Sequence, residues 1–148
     1  PRVDDFLAHR RSALDAAERS FFEALRFWQK NQEAAYWWGK VLEETSITDV
    51  AAEKKIMAIR FDPTSKLADK IMDEIKADYE LDTTSARRTY NYAFALYRKG
   101  RTAEAVPLYK KVADQDPEMN SFEGFLARRR LDIIERKIDM RWYKTDDF

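Results

Sequence analysis

The chain has 148 residues, 45% hydrophobic and 14% aromatic, enough for one domain with a buried core and too apolar for a disordered tail. Lys plus Arg and Asp plus Glu both number 27, so the formal net charge is zero and long-range steering toward nucleic acid or an anionic membrane is weak. With no Cys there is no disulfide framework and no thiolate metal site, and with 3 Gly and 4 Pro the chain has too few breakers for a sheet protein.

The first predicted helix covers about Asp4 to Lys30. Leu14, Ala17, Phe21, Leu25 and Trp28 step by three or four residues and define one apolar stripe, which Phe6 and Leu7 extend upstream. Asn31 is read as its stop, and "QEAAYWWGKVLEE" as the second helix. The third, "SITDVAAEKKIMAIRF", opens on Ser46 with Asp49 three residues on, in the manner of a capping box. Asp62-Pro63 ends it and opens a fourth helix striped by Leu67, Ile71, Ile75 and Tyr79. A fifth starts at a cap among Thr83, Thr84 and Ser85 and stops at Gly100. A sixth takes Thr102 as its cap and stops near Asp116-Pro117. The seventh opens at Asn120 with Glu123, carries Ala127, Leu131, Ile134, Ile138 and Trp142, and gives way to a frayed "KTDDF". The expectation is an all-α chain of seven helices with short antiparallel connections, in a single domain over 1–148.

Residues from about Ala86 to Pro117 resemble a tetratricopeptide repeat, a unit of roughly 34 residues made of two antiparallel helices. Ala93 and Ala105 stand at the small positions, Gly100 at the turn, Tyr109 at the aromatic and Pro117 at the stop. Thr89, Tyr92 and Val112 depart from the residues the family prefers there. A second segment aligns with this one at an offset of 71 residues, with Glu33, Ala34, Lys40 and Val41 on Glu104, Ala105, Lys111 and Val112, and Trp38 opposite Tyr109. A middle pair would then run from Thr48 to Glu80. The resemblance implies a short α-solenoid, three helix pairs and a C-terminal capping helix, of tetratricopeptide or pentatricopeptide type.

In that family the first helix of each pair lines a groove, which here implies Arg87, Tyr90, Phe94, Tyr97 and Arg98 as a partner-binding face, aromatics beside guanidiniums. The competing reading packs Tyr90, Phe94 and Tyr97 on neighbouring helices. Trp37 and Trp38 point about 100° apart on a helix, so one is expected in the core and the other outward as an anchor, against the alternative that both are buried. Ser85 to Lys111 holds seven basic residues and one acid, and Asp62 to Asp82 seven acids and three basic residues. Mutual pairing or solvation is favoured over an acidic partner or RNA. Arg128, Arg129 and Arg130 interleave with Asp132, Glu135 and Asp139, which reads as a solvated, ion-paired face.

The only His is His9, no Gly-rich phosphate loop is present, and no catalytic residues, metal site or cofactor are expected. The function expected is a non-catalytic protein–protein scaffold, an accessory subunit or adaptor with other protein subunits as partners and no small-molecule substrate. In size and architecture it is similar to the small helical-repeat subunit on the F1 sector of certain mitochondrial ATP synthases. The alternative is an RNA-binding pentatricopeptide-like module, which so few repeats and zero net charge disfavour. No membrane-spanning run is seen, so a soluble intracellular location, cytoplasm or mitochondrial matrix, is expected. The start at Pro1 suits a chain processed by presequence removal or trimmed.

Overall fold

The computed structural model describes residues 2–28, 30–45 and 47–135. Among the described residues there are seven helices and no strand: α1 (Arg2–Phe27), α2 (Gln32–Glu44), α3 (Thr48–Phe61), α4 (Lys66–Leu81), α5 (Ala86–Arg98), α6 (Thr102–Gln115) and α7 (Phe122–Ile134). The chain divides into two compact units, Pro1–Ile71 and Met72–Phe148, and the division falls inside α4. Ile138, Trp142 and the "KTDDF" end of the expected terminal helix lie outside the described residues, as does Ser46.

In the first unit α1 lies on α2 and α2 on α3, the latter its most extensive pairing, whereas the sequence reading makes α3 and α4 partners. The close approach of α2 to α3 depends on Gly39. A Cβ built there would sit 2.8 Å from Lys55 Cγ and 2.9 Å from the Ala51 carbonyl oxygen, inside contact distance. Tyr36, Leu42, Ile56 and Ile59 are buried in this unit. Lys55, 5% exposed, is kept there by an ion pair with Glu43.

In the second unit α5 and α6 form a hairpin, and α7 packs on both. Gly100 takes φ 88°, the left-handed region a glycine enters without Cβ strain, and so turns the chain between them. Lys111 Nζ donates to the Thr83 carbonyl at 2.6 Å and Gln115 Nε2 to that of Thr84, so the end of α6 returns to the start of α5. Ala93 and Ala105 are fully buried, with Tyr109, Leu96 and Val112 around them. Pro107 sits within α6 on its exposed side.

Several helix starts differ from the sequence reading. Asn31 opens α2 rather than closing α1, its side chain accepting from Ala34 N at 3.0 Å. The cap position of α3 is Ile47, which offers no side-chain acceptor. Asp62 does not cap α4. Its Oδ1 accepts from Thr64 N and Oγ1 in a turn that holds Pro63 before the helix, and Ser65 Oγ accepts from Ala68 N. Thr102 is the first residue of α6, not its cap. Ser121, not Asn120, caps α7 by accepting from Gly124 N at 3.0 Å. Two of these shifts share a cause: a nearby carboxylate, Asp62 before α4 and Asp116 before α7, takes the hydroxyl or amide that the simple pattern had assigned to the helix. Asp116 illustrates it, accepting from Asn120 N, Ser121 N and Ser121 Oγ.

Candidate functional site

Of the α5 residues expected to line a groove, Tyr90, Phe94, Tyr97 and Arg98 lie in one cluster, to which α6 and α7 contribute, while Arg87 stands apart from it. Tyr90 is 9% exposed, 5.9 Å from the Phe94 ring and 5.8 Å from the Tyr109 ring, so it belongs to the core and not to a docking face. Phe94, Tyr97 and Arg98 are half-buried. The Arg98 guanidinium lies 5.0 Å from the Phe94 centroid and 5.8 Å from that of Tyr97. Arg87, at the head of α5, is exposed and pairs with Glu123 in the first turn of α7. At the other end Arg130 of α7 lies 4.4 Å from the Tyr97 centroid and 5.4 Å from that of Phe94. Both contacts rise along α5 as they rise along α7, so the two helices run in the same direction.

Arg130 corrects the expectation of a solvated face for Arg128 to Arg130: its residue exposure is 2%. The signal was present in the spacing. Arg130 stands three after Ala127 and four before Ile134, on the apolar stripe of its own helix. Tyr109 is the other buried polar group here. Burial, reinforced by the neighbouring Tyr90, pushes its phenol above the ordinary tyrosine range, and the charges of Arg130 and Arg98 offset this only in part.

In the first unit the two tryptophans part as geometry requires. Trp37 is 48% exposed, its ring edge-on to the buried Tyr36 at 5.1 Å. Trp38 is half-buried: Nε1 donates to Glu18 at 3.1 Å, Phe22 meets it edge-on at 6.0 Å, and Lys54 Nζ stands 4.4 Å from its centroid. Burial of both is thereby excluded. The apolar stripe of α1 has two halves. Leu14, Ala17, Phe21 and Leu25 are half-buried, but Val3, Phe6 and Leu7 on the same face are exposed. Phe27 and Trp28, at the far end, are exposed too, so Trp28 leaves the stripe it was assigned to.

The basic stretch is largely engaged within its own unit. Arg88 faces Asp78 at 3.7 Å, Arg101 pairs with Glu104 at 2.5 Å, and Lys111 lies over the Tyr79 ring. Among the described residues no group of three or more His, Cys, Asp and Glu is placed to hold a metal ion, and no helix is long and apolar enough to cross a membrane. Comparison of the chain with protein-family models, with curated proteins and with solved structures yields no match.

Proposed function

We propose that the chain is a non-catalytic scaffold for protein–protein contact, an accessory subunit or adaptor of a larger assembly, built from helix pairs of tetratricopeptide or pentatricopeptide type. The α5–α6 hairpin supports the repeat assignment through its small residues at the crossing, its left-handed glycine and its buried aromatic. A mitochondrial complex such as the F1 sector of ATP synthase is one assembly of this kind.

The observation that carries the proposal is the overhang of α1. The 26 residues of α1 span roughly 39 Å and the 13 of α2 roughly 20 Å, at 1.5 Å per residue. Arg10 of α1 pairs with Glu44, the last residue of α2. The two turns before Arg10 therefore run past the end of α2 with Val3, Phe6 and Leu7 uncovered, on the same face as Leu14, Ala17, Phe21 and Leu25 and separated from them by Arg10. A stripe that is half-covered in one part and bare in the other suits a helix or strand of another protein laid along it. Trp37, exposed and rigid, is a second anchor of the type that dominates interface energetics.

The test is affinity purification of the full chain from its native source, wild type beside a Phe6→Ser/Leu7→Ser double variant. Wild type is expected to bring down a stoichiometric protein partner. The double variant loses it while its helical circular-dichroism signal and melting temperature stay unchanged. Wild type recovered alone under mild conditions would count against the scaffold role. A partner removed by nuclease, with affinity falling steeply in salt, would favour the RNA-binding alternative.

A further inference from the structure

We propose that Arg130 is the centre of an oxyanion site enclosed by α5, α6 and α7, taking a small free anion with two acceptor oxygens such as phosphate or a simple carboxylate. The proposal is independent of the scaffold reading. Its starting point is a charge that nothing among the described residues neutralises. Arg130 is 2% exposed, and its Nε and Nη2 have no hydrogen-bond partner among the described residues. Arginine cannot shed its proton to escape this, and a buried, unpaired ion is costly enough that folded proteins supply it with a partner. Glu123, the acid in the first turn of the same helix, is engaged by Arg87.

The identity of the two nitrogens sets the chemistry. Nε–H and the Nη2–H beside it form one edge of the guanidinium, a fork of two parallel donors. That spacing matches two oxygens of a single carboxylate or phosphate. The opposite requirement, holding the guanidinium plane still, is met by the rings of Tyr97 and Phe94 at 4.4 and 5.4 Å. Arg98 lies over the same two rings, so a second positive charge adds to the potential at the site. The Tyr109 hydroxyl of α6, buried and likewise without a partner among the described residues, feels the charge of Arg130. At 2% exposure the fork admits a compact anion rather than a folded segment of a partner.

The experiment is thermal unfolding of the full-length wild type and Arg130→Lys in rising inorganic phosphate, and separately in rising acetate, with ionic strength held constant by sodium chloride. Wild-type Tm is expected to climb and saturate, by roughly 5–10 °C once the anion reaches about a hundred times its dissociation constant. Arg130→Lys keeps the charge but loses the fork, and its saturating climb disappears. In ¹⁵N-labelled wild type the Arg130 Nε–H resonance moves with the same midpoint. A wild-type Tm indifferent to both anions, or a lysine variant whose curves superimpose on wild type, overturns the proposal. Should the lysine variant fail to fold, a wild-type Nε–H resonance that stays put as phosphate rises overturns it alone.

Discussion

Helices α2 and α6 carry the same sequence pattern in the two units and end up with different surroundings. Ala34 and Ala105, at equivalent positions, are both buried. Four residues on, Tyr109 is fully enclosed, while Trp38 stays half-buried with its indole N–H given to Glu18. One residue further, Gly39 is pressed against α3 and its counterpart Lys110 is exposed. Upstream, where a two-residue gap brings Phe27 opposite Leu96, the likeness fails: Phe27 is 77% exposed and Leu96 is buried. A shared pattern thus orients a helix, since the period decides which side turns inward. How deep each side chain goes depends on which neighbour crosses above it.

The sharpest way to break this comparison is to truncate the aromatic in each helix. Tyr109→Ala is expected to cost about 3–5 kcal/mol, the range for emptying a large buried aromatic site. Trp38→Ala, at the matching but half-buried position of α2, should cost less, about 1–2 kcal/mol. Urea midpoints at unchanged slope would check both, and equal losses would show that the two helices are buried alike. Next in size is the crossing residue. Gly39→Ala should lose about 1–3 kcal/mol, because the Ala51 carbonyl is backbone and must shift, while Lys110→Ala is nearly silent.

Smaller effects come from the helix starts. Asn31→Ala removes an acceptor from the head of α2 and is expected to cost about 1 kcal/mol, whereas Thr102→Ala, at a position that makes no cap, costs a few tenths at most. Thermal melts of the two single variants side by side would resolve this. The smallest effect is electrostatic. The hydrogen bond from Arg101 holds the Glu104 carboxyl below its ordinary range, so the unfolded chain binds the proton more readily. The contribution is therefore complete above the ordinary carboxylate pKa and fades as pH falls through the lowered value. A carboxyl-carbon NMR titration of Glu104 should find its midpoint below that of a model glutamate, and a midpoint at the model value would remove the pair from consideration. The same direction holds for Asp116, whose carboxylate is stabilised first by the Ser121 hydroxyl and then by backbone N–H groups of Ser121 and Asn120.

Much of the fold was legible because helices declare themselves locally. Seven periodic segments, a glycine at the α5–α6 turn and alanines at the crossing could all be read from spacing. Helix starts were legible only to within a few residues, since Ser, Thr, Asn and Asp compete for the same backbone donors and the winner depends on turn geometry. The site was harder. Counting charges placed Arg130 among solvated neighbours, although its register with Ala127 and Ile134 pointed inward. Tyr90, Phe94 and Tyr97 look alike in sequence, and only the position of α6 and α7 separates the buried ring from the two half-covered ones.

What the sequence determined unaided is therefore the helices, their number and the side each turns inward, because propensity and period act within a few residues of chain. What tertiary structure alone decided is how deeply each side is covered: that Trp37 faces out beside a half-buried Trp38, that the stripe of α1 outruns its partner, and that a guanidinium is shut in with two of its donors unmet among the described residues. Burial is a property of the helices that arrive from elsewhere in the chain, and their arrival is not written in the segment they cover.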